Sequence, residues 1–164
     1  MQNDLDGKNY LQKLQTFAYL SLGVPLIFFI YIYLESSVDG LEEIIPSQYH
    51  VTILVPVLIV CLPLLYWNLK KFKRSVEQSS EKTKLRDKLK LYQLANNSRF
   101  LTYAICAMVI CIAFFLTNFQ AFAALYGIML VLFSINNPSA RRIVQDLKLK
   151  GKEKEIVLNG LQIP

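Results

Sequence analysis

Four stretches of this chain, residues 14–34, 51–69, 100–117 and about 121–135, contain no Asp, Glu, Lys, Arg or His. A helix rises ~1.5 Å per residue and the hydrocarbon core of a bilayer is ~30 Å thick, so a span needs ~20 residues. The first three stretches, of 21, 19 and 18 residues, have that length. The fourth, of 15, reaches it only when Phe119 and Asn136 are counted into the interface, giving a span of 119–136. Strands are excluded because the runs are continuous rather than alternating, and open sheet edges are not tolerated in lipid. The expected fold is therefore all-α: an integral membrane protein of four transmembrane helices arranged as two hairpins.

Composition agrees. Hydrophobic residues make up 54% and charged residues 18% of the 164 positions, whereas soluble domains carry about 25% charged residues. Clustered as they are, these apolar residues exceed what a soluble core of this size absorbs. A soluble globular enzyme, a disordered chain and a disulfide-rich secreted domain are excluded.

Orientation follows from the 18 basic residues. Lys8 and Lys13 precede the first stretch, ten lie in 70–99, and six follow Pro138. The connections 35–50 and 118–120 hold none, and the first is acidic, with Glu35, Asp39, Glu42 and Glu43. The positive-inside rule places both termini and the 70–99 loop in the cytoplasm. At 21 residues the first stretch exceeds a signal-peptide core of about 7–15, and no A-x-A-like site follows, so it reads as a retained anchor. Tyr31, Tyr33 and Tyr49 are expected at the outer interface, and Tyr66, Trp67 and Tyr103 at the inner one.

The chain reads as a single membrane domain, 1–164, with a cytoplasmic loop at 70–99 and a cytoplasmic tail at 138–164. A faint parallel repeat lays Tyr19, Gly23, Leu26 and Ile30 over Tyr103, Ala107, Ile110 and Phe114. In the loop, Leu85, Leu89, Tyr92 and Leu94 sit near helical spacing among Lys82, Lys84, Arg86, Lys88 and Lys90, with a turn at Ser79–Ser80 and Ser80 as N-cap. Such a basic helix either rests on anionic lipid headgroups or simply holds the topology. Nucleic acid is not an expected partner, since a basic patch alone does not make a nucleic-acid site. In the tail, Asn137–Pro138 is expected to start a helix that pairs Ile143 with Leu147 on one face and ends at Gly151. A second short helix, 152–159, closes at Gly160.

Chemistry is sparse. No membrane stretch carries the embedded acid, amine or imidazole that marks proton relays and ion pathways. A pore lined by Thr16, Ser21, Thr52, Thr102, Thr117 and Ser134 remains open. Cys61, Cys106 and Cys111 form no C-x-x-C pair, and Cys106 and Cys111 point ~140° apart on a helix. They read as small packing residues. His50 has no obvious catalytic partner, and the acidic cluster 35–43 reads as a hydrated loop. No nucleophile elbow, P-loop, H-E-x-x-H or dinucleotide fingerprint is present. Hence no catalytic residue, metal site or cofactor is expected. Pro25, Pro56 and Pro63 interrupt the first two helices and serve either gating or packing. Ala104, Ala107 and Cys111 on the third helix are expected to meet Ala124 and Gly127 on the fourth across the Asn118–Phe119–Gln120 turn.

Several segments appear in a recognisable order: Lys13-Leu-Gln-Thr-Phe-Ala-Tyr, Lys90-Leu-Tyr-Gln-Leu-Ala, Phe115-Leu-Thr-Asn and Asn137-Pro-Ser-Ala-Arg-Arg-Ile-Val-Gln-Asp-Leu-Lys-Leu. Together they resemble the small uncharacterised four-helix inner-membrane proteins of Bacteroidota. Some relatives of that kind carry an acid early in the third helix, which 100–111 lacks here. The resemblance implies a bacterial inner membrane and supplies no activity. The function expected is that of a non-catalytic accessory, assembly or scaffold subunit acting through helix contacts with a membrane-protein partner or a second copy of the chain. A small oligomeric transporter or channel is the alternative, and a lipid-modifying enzyme the third possibility.

Overall fold

Long apolar stretches flanked by good helix formers leave the backbone one way to satisfy its polar groups without water, and every long element is helical. The structure, a computed structural model, describes residues 7–38 and 44–163. Among these it contains six α-helices: α1 Gly7–Val38, α2 His50–Ser80, α3 Leu85–Thr117, α4 Gln120–Ile135, α5 Ala140–Asp146 and α6 Gly151–Asn159. A single 3₁₀ turn, Ser47–Tyr49, leads into α2. The all-α expectation is met. By length and composition α1, α2 and α3 are able to cross a membrane, and α4 counted together with α5 would make a fourth. Alone, the 16 residues of α4 extend only about 24 Å.

The charge-free stretches are the middles of longer helices. Helix α1 begins seven residues before its apolar stretch, and buries Tyr10, Leu14 and Ala18 at four-residue spacing. Helix α2 runs through the basic segment as far as Ser80. The turn therefore lies at 81–84 rather than at Ser79–Ser80, and Ser80 ends a helix instead of capping one. Both serine hydroxyls bond backward, Ser79 to the Ser75 carbonyl and Ser80 to the Glu77 carbonyl, each at 2.7 Å. Such local bonds favour a helix end.

Helix α3 carries one stripe along its whole length. Leu85, Leu89, Tyr92, Asn96, Arg99, Tyr103, Cys106, Ile110, Ala113 and Thr117 alternate steps of four and three, and all are buried. Leu94, grouped with this face by sequence, is 60% exposed. The helix closes at Asn118, whose φ of 47° is one an asparagine tolerates. Helix α4 follows after the expected tight turn and buries Phe122, Tyr126, Met129 and Phe133.

In the tail, the N-cap of α5 is Ser139, whose hydroxyl accepts from the Arg142 amide at 3.3 Å. Pro138 lies outside the helix, and Asn137 instead donates to the Tyr19 hydroxyl at 3.3 Å. The break after α5 is made by 147–150, with Lys148 at φ 51°, and Gly151 opens α6 rather than ending α5. Gly160 caps α6 at φ 66°, as its position suggests.

The chain divides into two compact units. One, here the basic unit, is drawn from Met1–Tyr19, Asn68–Arg99 and Asn137–Pro164; the other, the apolar unit, from Leu20–Trp67 and Phe100–Asn136. The basic unit has its own hydrophobic centre: Tyr10, Leu14, Phe72, Leu85, Leu89, Tyr92, Ile143, Leu147, Leu149 and Val157. Ile143 and Leu147, paired by sequence, are both inside it. The apolar unit packs aromatic side chains instead. Phe29 stacks on Tyr126 with centroids 4.0 Å apart and meets Phe114 at 5.6 Å, while Tyr103 and Phe100 contact Phe133 at 5.4 and 5.8 Å. Tyr103 is buried there, whereas Tyr31, Tyr33, Tyr49, Tyr66 and Trp67 are all exposed. Nor does the faint repeat carry over into packing, since Tyr19 and Ile30 are exposed where Tyr103 and Phe114 are buried.

Candidate functional site

The polar chemistry of the described residues concentrates in the basic unit, along the first half of the α3 stripe. Arg99 is buried, its Nη2 donates to Asn96 Oδ1 at 2.7 Å, and its guanidinium carbon lies 3.9 Å from the centre of the Phe72 ring. A cation over an aromatic face is attracted by the ring quadrupole, and more so away from water. Two turns earlier Tyr92 touches the same Phe72 edge-on and donates to Asp146 Oδ2 at 2.9 Å. Asp146 also lies 4.0 Å from Arg142. Burial, then the Asp146 carboxylate, pushes the Tyr92 hydroxyl above the ordinary tyrosine range. Tyr10 is raised as well, by burial first and by Tyr92 second, and its hydroxyl donates to the Leu89 carbonyl at 2.7 Å. Both phenols are therefore held as donors, locking α1, α3 and α5 into one arrangement.

Sequence reading missed Arg99 and Asn96 as buried residues, counting the first as one loop cation among ten. The signal was present: the four–three spacing of Leu85, Leu89 and Tyr92, continued, lands on Asn96 and Arg99.

On the neighbouring face of α3, Arg86, Lys90 and Gln93 follow at spacings of four and three. With Tyr10, Leu89 and Ile163 they line a cleft of about 230 Å³. Leu89 and Tyr10 form a buried apolar floor, and Arg86 and Lys90 are exposed at its rim. No carboxylate lines it among the described residues. Two acids of the basic unit have other partners: Glu153 takes Lys88 with both oxygens, at 2.8 and 3.1 Å, and Asp146 takes Tyr92.

In the apolar unit the residues singled out by sequence do not converge. Thr16, of the basic unit, is exposed, as are Thr52 and Ser134. Thr117 is buried, but its hydroxyl donates to the Ala113 carbonyl at 2.7 Å and accepts from the Phe119 amide. Pro56 and Pro63 share an exposed face, while Pro25 is buried and its carbonyl accepts the Cys111 thiol at 3.6 Å. Ala107 and Cys111 are buried as expected, but Ala124 and Gly127 are exposed. The small-residue face of α4 thus points away, because its large aromatic face fills the interior. Cys61 and Cys106 are hydrogen-bonded to each other, a pairing between helices that spacing within one helix could not show. His50 is buried against Phe119, ring centres 5.1 Å apart, with Nε2 3.3 Å from the Ile45 carbonyl. Glu35 is half-buried, and its neighbour Ser36 donates to Asn118. The rest of the acidic cluster, Asp39, Glu42 and Glu43, lies outside the described residues. Among the described residues no group of His, Cys, Asp and Glu is placed to hold a metal ion.

Comparison with known protein families, curated proteins and solved structures gives no match.

Proposed function

We propose that this chain is a four-span protein of a bacterial inner membrane, with both termini and residues 70–99 cytoplasmic, acting as a non-catalytic accessory, assembly or scaffold subunit. One observation carries the reading. The division of the chain by compactness coincides with its division by charge: all 18 Lys and Arg belong to the basic unit and none to the apolar unit. The packing knows nothing of the positive-inside rule, yet both draw their boundaries near residues 68, 99 and 137.

The scaffold role is supported by where the polar groups go. Of the hydroxyls that could line a pore, Thr16, Thr52 and Ser134 are exposed and Thr117 is bonded to its own helix, and the buried network around Tyr92 and Arg99 joins structural elements rather than surrounding a reacting centre. What the chain offers a partner is surface. Extraction of the natively expressed protein in mild detergent, followed by sizing and identification of co-purifying chains, tests this. A complex with another membrane protein or a defined homo-oligomer is expected. A lone monomer counts against the role, and solute flux in reconstituted liposomes would replace it with the transporter reading.

A further inference from the structure

We propose that the cleft beside the start of α3 binds a phosphate ester, with Arg86 and Lys90 gripping the phosphate and the Tyr10–Leu89–Ile163 side receiving an apolar substituent. Arg86 and Lys90 are four apart on α3, which brings their Cβ atoms to about 6 Å of each other. A guanidinium supplies two parallel N–H donors to a phosphate, and an ammonium adds a point charge. Gln93, one turn on, offers an amide to the ester or hydroxyl oxygens. Among the described residues the lining contains no acid to offset the two cations, and the Glu153 and Asp146 carboxylates of the same unit are bonded to Lys88, Arg142 and Tyr92. A wholly hydrated anion would gain nothing from the apolar floor, so an amphiphile fits the cleft better than inorganic phosphate.

Two sources share this chemistry: the headgroup of an anionic phospholipid and a soluble phosphate ester. The lipid source rests on the membrane reading above; the chemistry of the cleft does not.

The test is titration calorimetry on the full chain in a neutral maltoside detergent. Three ligands are used: dioctanoyl-phosphatidylglycerol, dioctanoyl-phosphatidylcholine and phenyl phosphate. The charge-neutralising double variant R86Q/K90Q is compared with K82Q/K84Q, which removes the same charge outside the cleft lining. All four positions are exposed, and circular dichroism with gel filtration checks that each variant folds. Binding of phosphatidylglycerol but not phosphatidylcholine is expected, with R86Q/K90Q lowering the affinity about 30-fold and K82Q/K84Q leaving it within about twofold. Phenyl phosphate binding as tightly, with the same dependence on Arg86 and Lys90, would support the site and assign it a soluble ester. Equal losses in the two double variants, equal binding of both lipids, or no binding of any ligand would overturn it. Because binding is read in detergent solution, such a failure is separate from failure of the membrane reading, which residue-labelling from each side of intact cells decides.

Discussion

The two units of this protein put opposite kinds of residue on their surfaces. Of the 29 large hydrophobic side chains exposed among the described residues, 24 belong to the apolar unit and five to the basic unit. The basic unit is built as water-soluble domains are, with aliphatic and aromatic side chains enclosed beneath Lys and Arg. The apolar unit encloses Phe, Tyr and Cys and turns Ile, Leu and Val outward, which is favourable only where the surroundings are apolar too. The same chain thus follows two rules of burial, and it changes rule partway along α1, α2 and α3.

The sharpest way to test that contrast is to put a charge inside the basic unit. Ile143 is fully buried, so Ile143→Asp is expected to cost more than about 4 kcal/mol. Limited proteolysis should then open 137–163 and the 70–99 segment while the helices of the apolar unit stay protected. Loss of both together would break the distinction between the units. A charge on the outside comes next. Ile59 is 65% exposed and Leu94 60%; a lysine at either would be nearly neutral in water. Within a bilayer Ile59→Lys should cost about 3 kcal/mol, read as a fall in the membrane-inserted fraction, with Leu94→Lys staying within about 0.5 kcal/mol.

Two glycines give smaller effects of opposite sign. A side chain on Gly7 would meet the Ile156 and Leu161 carbonyls at 3.1 Å, so Gly7→Val is expected to destabilise the basic unit by about 1–3 kcal/mol in denaturant titration. Gly23, inside α1 with open space around it, should accept alanine with a gain of about 0.5–1 kcal/mol. Last comes Lys88→Gln. The Lys88–Glu153 pair is partly exposed, so its loss should cost under about 1 kcal/mol and fade as salt is raised.

Much of this architecture was legible in the residues. The uncharged runs announced the helices, the tail signals placed Ile143, Leu147 and Gly160 correctly, and Asn118 marked its turn. What escaped has a common physical cause. Charge marks where an apolar stretch stops but not where a helix stops, so α1, α2 and α3 run well past their apolar stretches. For the same reason Arg99 looked like another loop cation, although its register puts it inside. The α4 face failed differently: Ala124 and Gly127 promised close approach, but Phe122, Tyr126, Met129 and Phe133 bury far more surface and decide which side turns inward. Cys61 and Cys106 are 45 residues apart, and only tertiary packing brings the two thiols within reach of each other.

The basic unit is discontinuous, and that sets an order in time. Its interior joins Tyr10 of α1, Leu89 of α3 and Val157 of α6, and the Gly7 amide donates to the Leu161 carbonyl at 2.9 Å. Every residue of the apolar unit is synthesised before residue 137. The helices of that unit are therefore complete before the α6 segment emerges to finish the other, and until then Leu14, Phe72 and Leu89 await their partners. Docking of α6 is the step at which the interior of the basic unit closes, and the moment when exposed apolar surface near its cations is withdrawn from competing associations.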